Sequence, residues 1–172
     1  RGGGAALAAE HLHALGHRRV AQLRGPLDVA NFSHRAEAFT AACSRLGLAE
    51  VEVPETGAVP TIAEGRRLTE AMLKREDEPP TAIFAHNDLM AMGTLAALRD
   101  AGLRVPDDVS LIGYNDLPLM DVVTPALTTI RYPSREVGLA AGELVVGILA
   151  GEEGRDICLQ PSLVMRDSTR PI

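Results

Sequence analysis

Segments with apolar residues at helical spacing alternate along this chain with short apolar runs, and most helical segments stop at a glycine. In residues 4–15, Leu7, Ala8, His11, Leu12 and Leu15 recur on one face before Gly16. A strand-length run, 20–23, follows and ends at Gly25-Pro26. Residues 33–46 form a second helical stretch closed by Gly47, and 51–53 a short strand. A third helix is expected from Thr61 or Ile62 to Arg75, before the Pro79-Pro80 break. The run 81–85 has the continuous apolar character of a strand buried on both faces. Asn87 and Asp88 then open a helix running to Ala101, and 109–113 reads as another buried strand. A strand over 128–130, a helix over 134–149 and short strands around Leu159 and 163–165 complete the pattern. Strands alternating with helices in this way imply an α/β fold with a parallel, doubly wound sheet.

The chain's 172 residues suffice for a domain with a real core, and at 3% aromatic with no Trp that core must be aliphatic. The formal net charge of -6 and the lack of any arginine-rich helix argue against direct nucleic-acid binding by this segment. The chain opens at Arg1 without Met, no signal peptide precedes the first helix, and no apolar run reaches the length of a membrane span. Cys43 and Cys158 stand far apart and read as two buried thiols of a cytoplasmic protein.

Enzyme signatures are missing. There is no GxSxG elbow, Walker loop, HExxH or strand-borne GxGxxG. Gly2-Gly3-Gly4 precedes a helix, but no strand leads into it, so it reads as a frayed terminus. His11, His13 and His17 lie on a helix and its end, where packing or surface roles are the default, so no metal and no cofactor is expected.

In a doubly wound sheet, ligands bind beyond the carboxyl ends of the strands. Here that rule selects the loops 25–35, 57–61, 86–88 and 114–118, which carry Asn31, Arg35, His86, Asn87, Asp88, Asn115 and Asp116. Amides donate and accept, and a guanidinium fork spans two oxygens, which suits a polyhydroxyl compound. Helix capping explains one of Asn87 and Asp88 equally well, with Asn87 the better ligand candidate. A turn explains Asn115-Asp116 about as well as binding does. Arg35, placed in a first helical turn, sits where the helix dipole disfavours a cation, which favours a functional role.

Several stretches, taken in order, resemble the lactose-repressor/galactose-repressor (LacI/GalR) family. They are Leu15-Gly16-His17-Arg18-Arg19-Val20-Ala21, Gly25-Pro26 with Arg35 and Phe39, Pro80-Thr81-Ala82-Ile83-Phe84-Ala85 with Asn87-Asp88, Val109-Ser110-Leu111-Ile112-Gly113-Tyr114-Asn115-Asp116, Leu127-Thr128-Thr129-Ile130, and Leu163-Val164 with Arg166-Asp167-Ser168-Thr169. Ala38 departs from the glycine usual there, and Asn115 stands where many relatives carry an aspartate. The resemblance implies a periplasmic-binding-protein-like fold of two lobes. Residues 1–130 would belong to the C-terminal lobe, 131–161 to a crossover and helix of the N-terminal lobe, and 162–172 to the return. The DNA-binding headpiece would be absent. The implied function is a small-molecule, sugar-sensing domain of a cytoplasmic bacterial repressor, binding its effector in the interlobe cleft through Arg35, Asn87, Asn115, Asn31 and Asp88. The implied partners are that effector, a second copy of the chain, and operator DNA through the headpiece. The candidate dimer surface comprises Met90 and Met92 on one helix and Leu117, Leu119, Met120 and Val122 in the irregular segment after it. A periplasmic sugar-binding protein of the same fold is the alternative. The apolar face of the helix 134–149 would lack its partner sheet, and must pack elsewhere or stand exposed.

Overall fold

A computed structural model of the chain describes residues 3–75 and 78–172. The elements run α1 (Gly3–Ala14), β1 (Arg19–Leu23), α2 (Ala30–Leu46), β2 (Ala49–Val51), α3 (Ile62–Arg75), β3 (Ala82–Ala85), α4 (Asp88–Asp100), β4 (Ser110–Asn115), β5 (Thr128–Arg131), α5 (Ser134–Leu149) and β6 (Ser162–Val164). They form one sheet in the order β2-β1-β3-β4-β5-β6. All pairings are parallel except β5 with β6, which is antiparallel.

The central strands bury alternate residues on opposite faces, as the period of two requires. On one face Val20, Phe84, Ile112 and Ile130 pack with Ala5, Ala8, Ala9 and Leu12 of α1 and Phe39 and Cys43 of α2. On the other face Ala21, Leu23, Ile83 and Leu111 pack with Leu68 and Met72 of α3 and Met90, Ala91 and Leu98 of α4. Glycines bring α3 and α4 into backbone contact. A Cβ on Gly65 would lie 2.2 Å from the Met90 carbonyl oxygen, and one on Gly93 would lie 2.0 Å from that of Ile62.

Four local expectations change. Helix α2 begins at Ala30, not Ser33, and the Ser33 hydroxyl donates to the Ala30 carbonyl from inside the helix. Strand β2 lies at 49–51 because Arg19 and Ala49 set its register against β1. Gly3 and Gly4 are not frayed: they start α1, and Gly4 lets the helix close on Tyr114 and Ile130, where a Cβ would come within 2.9 Å. Gly2 lies outside the described residues. Cys43 is buried, which pushes its thiol up to about 12, whereas Cys158 is exposed rather than buried.

The final residues thread back beneath the amino-terminal edge of the sheet. Ser168 exchanges backbone and side-chain bonds with Leu111 and holds the Thr128 N–H. The Arg170 N–H donates to the Ser110 hydroxyl, its carbonyl meets buried His17, and the Ile172 N–H reaches the Leu15 carbonyl.

Helix α5 buries none of its residues. Leu139, Val145, Val146, Ile148 and Leu149 are all more than half exposed. A helix with this much aliphatic surface in water lacks the partner that its sequence is built to meet. No helix among the described residues is long and apolar enough to cross a membrane.

Candidate functional site

At the carboxyl edge of the sheet, the loop after β1 leads directly into α2. Gly25 allows the close approach of Phe32, whose ring would clash with any Cβ there at 2.4 Å. The Phe32 ring stacks nearly parallel to that of His86, with centroids 6.1 Å apart and 11° between planes. His86 follows β3 and is fully buried. Its Nε2 lies 2.9 Å from Gln22 Oε1, and its Nδ1 accepts from the Gly25 N–H at 3.3 Å. An Nδ1 that accepts leaves Nε2–H as the donor, so the ring is neutral. Burial, with the charges of Arg35 and Arg24 nearby, holds His86 well below the ordinary histidine range.

Arg35 rests on this platform. Its guanidinium carbon lies 3.6 Å above the Tyr114 ring centroid and 5.1 Å from that of Phe32. Its Nη1 donates to the His86 carbonyl, while its Nε is buried without a hydrogen-bond partner. Burial lowers its affinity for the proton, the Tyr114 hydroxyl opposes that shift, and guanidinium stays cationic throughout. With α2 starting at Ala30, Arg35 sits in the second turn, so the helix-dipole argument for its function loses force. The stacking carries it instead.

Strand β4 delivers Tyr114 and Asn115 to the same rim. Asn115 and Asp116 take positive φ values of 116° and 56°, a conformation that Asn and Asp tolerate better than other side chains. Fully buried Asp88 fixes this turn. Its carboxylate accepts from the Leu117 N–H at 2.7 Å and from the Thr129 hydroxyl at 2.6 Å. Burial raises the Asp88 carboxyl, with these bonds pulling the other way. Asp116 bridges Arg131 and Arg166, both at 2.7 Å. Burial opposes its ionisation, but the two guanidinium groups prevail and hold it below the ordinary carboxylate range.

These elements enclose an open cavity of about 460 Å³, lined by Ala5, Ala30, Asn31, His34, Arg35, Tyr114, Asn115 and Tyr132. Three of the five expected ligand residues, Asn31, Arg35 and Asn115, therefore meet at one cavity. Asn87 and Asp88 do not line it. Asn87 caps α4, its Oδ1 accepting from the Met90 N–H at 2.8 Å and its Nδ2 donating to the Pro60 carbonyl at 2.9 Å. Of the pair, Asn87 is the cap, and Asp88 braces the turn bearing Asn115. His34, Tyr114 and Tyr132 line the cavity without having been singled out. The pleat placed Tyr114 on the α1–α2 side, which the alternation along β4 already encoded; Tyr132 lies in an irregular segment with no such signal.

The expected dimer surface also divides. Met90 is fully buried between α3 and α4, and Met120 is 3% exposed, so both belong to the core and present nothing to a partner. Met92 and Leu117 are partly buried, while Leu119 and Val122 are about two-thirds exposed, at 66% and 67%. The chemistry assembled at the rim is stacking, amide and guanidinium hydrogen bonding, with no nucleophile held by a base.

A family model described as a periplasmic binding protein-like domain matches residues 9–169. The chain is similar to the HTH-type transcriptional repressor PurR of Aliivibrio salmonicida, 34% identical over 178 residues covering 98% of this chain and 51% of that protein. PurR of Escherichia coli is 36% identical over 169 residues, covering 96% and 49%. A LacI-family transcriptional regulatory protein from Corynebacterium glutamicum superposes with a TM-score of 0.88 at 38% identity, over 99% of this chain and 65% of that one. The lac repressor bound to ONPG in its repressed state gives 0.90 at 32% identity, over 97% and 50%. The chain spans about half the length of the curated relatives it matches. These relatives are repressors, in keeping with a binding module rather than an enzyme. With one sheet topology, one set of ordered motifs and these matches along nearly its whole length, the chain belongs to the LacI/GalR family and represents its effector-binding region.

Proposed function

We propose that this region senses a small polar metabolite, a sugar or a compound of similar hydrogen-bonding character, for a cytoplasmic transcriptional repressor. The observation that carries this reading is the convergence of Asn31, Arg35 and Asn115 on one cavity at the carboxyl edge of a parallel sheet. Residues 3–130 and 162–172 form one lobe in this reading. The segment 131–161, with its uncovered α5, belongs against a second lobe that closes the cavity from above. Ligand binds one lobe arrangement more tightly than the other and shifts their populations, altering operator affinity through a headpiece beyond this chain. Similarity to a lac repressor solved with ONPG supports a ligand of this kind.

The test is a thermal-shift screen of sugars and purines on the full-length protein, followed by titration of the best hit. Arg35→Ala removes a charged donor and its stacking, each worth on the order of 1–3 kcal/mol, so affinity should fall at least about 10-fold with the far-UV circular dichroism retained. An unchanged Kd in that variant would take Arg35 out of the site.

The segment after β4 supports a homodimer, the arrangement symmetric operators require. Leu119 and Val122 are the apolar residues free to meet a second copy, beside the partly covered Met92 and Leu117. Leu119→Asp with Val122→Asp should shift the full-length protein from dimer to monomer in sedimentation, with the dissociation constant raised at least about 100-fold, because two charges would have to be buried. A double variant that sediments as the parent does would place the interface elsewhere.

A further inference from the structure

The cavity's charge distribution is unlike that of the chain around it. The whole chain has a formal net charge of -6, yet among the described residues lining the cavity no carboxylate occurs. Of the three carboxylates in the loops at this rim, Asp28 is exposed and does not line the cavity, and Asp88 and Asp116 are engaged elsewhere. Asp88 is fully buried and accepts from Leu117 and Thr129. Asp116 is held between Arg131 and Arg166, and its side chain is 9% exposed. The fixed charge lining the cavity is therefore the Arg35 guanidinium, with an unpartnered buried Nε. Around it stand groups able to donate: the amides of Asn31 and Asn115, the ring of His34, and the hydroxyls of Tyr114 and Tyr132. Residues Ala30 and Asn31 also open α2, whose first turn has no capping side chain. That turn turns its positive end toward the same space.

We infer that the ligand carries an anionic oxygen group, a carboxylate or a phosphoryl, that this lobe holds against Arg35. The inference rests on the cavity being the effector site and specifies what enters it. Position 115 decides the matter electrostatically. A carboxylate there would stand beside the ligand and oppose an anion, whereas the amide present donates to it. At cavity distances and an effective dielectric well below that of water, one such charge is enough to reverse the preference between neutral and anionic ligands.

The experiment uses the full-length protein and minimal probes, inorganic phosphate and acetate, titrated at ionic strength held constant with chloride and followed by calorimetry and thermal shift. Phosphate above acetate indicates a phosphoryl group; acetate equal to or above phosphate indicates a carboxylate. Asn115→Asp should weaken the preferred anion at least about 10-fold. Asn115→Gly, which suits the positive φ and adds no charge, should weaken it less, so that charge and lost hydrogen bond are separated. No binding of either anion by the parent overturns the inference, as does equal binding by parent and Asn115→Asp, which places the anion outside the cavity. A neutral sugar or purine that binds in an Arg35-dependent way, with no anion response, leaves the effector site standing and removes only the anionic ligand. Loss of every Arg35-dependent response would instead remove the site.

Discussion

Adding one methyl group at position 93 should destabilise the chain by about 3 kcal/mol or more, the far end of what overpacking costs. The Cβ of Gly93→Ala would sit 2.0 Å from the Ile62 carbonyl oxygen and 2.6 Å from the Arg66 backbone nitrogen. Both are main-chain atoms of α3, so no rotamer change relieves the overlap. The helices must separate, and Leu68, Met72 and Met90, all fully buried between them and the sheet, lose packing together. Alanine gains about 1 kcal/mol in helix propensity over glycine, too little to offset this. For a chain of this size the melting temperature should fall by roughly 6–12 °C. Gly65→Ala should act alike, and the double variant should cost less than the sum, because the first change already opens the gap the second needs. A Gly93→Ala protein melting within about 2 °C of the parent would show that α3 and α4 are not in contact there.

Mild acid should weaken the fold well before its carboxylates titrate. His86 and His17 are fully buried. Burial is the main cause that lowers both below the ordinary histidine value of about 6.5, with the nearby charges of Arg35 and Arg24 adding at His86. Burial likewise lowers His11, which bonds to Thr169. Below pH 6.5 the unfolded chain takes up protons that the folded chain refuses, so stability falls with pH through that window. A group that stays neutral when folded contributes about 1.4 kcal/mol per pH unit there, and His86 should approach that limit with His17 adding in the same sense. Asp88 acts oppositely, since its raised carboxyl accepts a proton earlier in the folded state, but only nearer its own range. Urea midpoints at pH 7.5 and 5.5 should therefore differ by at least about 1.5 kcal/mol in stability. If the proposed function holds, effector binding should weaken in parallel, because the His86 carbonyl holds Arg35. Equal midpoints at the two pH values would contradict the neutral, doubly bonded His86.

The order and type of the elements were legible because glycines and apolar spacing mark them locally. Gly16, Gly47 and Gly102 each take positive φ at or just past a helix end, as their positions in the sequence imply. The doubly buried run 81–85 announced a central parallel strand. What local pattern does not contain is which of several apolar faces meets which neighbour. Met90 and Met92 project from opposite sides of one helix, and it is the packing of α3 on α4, close at Gly65 and Gly93, that encloses Met90 rather than Met92. The start of α2 was hidden because Val29 caps it without a side-chain bond, leaving Ser33 as the nearest conventional signal. Asn87 and Asp88 are both good capping types, and their division of labour depends on Thr129 and Leu117, far along the chain. The cavity residues Arg35 and Asn115 were found from sheet topology, while Tyr132 needed the path of the segment after β5.

The route of the last residues has a practical use. Because the tail runs beneath the strand starts, Ile172 rests against Leu15 and Gly16 at the edge of the sheet opposite the rim that bears Asn31, Arg35 and Asn115. A fluorophore at Asn31 and a second label at position 172 would therefore sit on opposite edges of one sheet, an arrangement in which one label reads events at the rim while the other serves as a fixed reference.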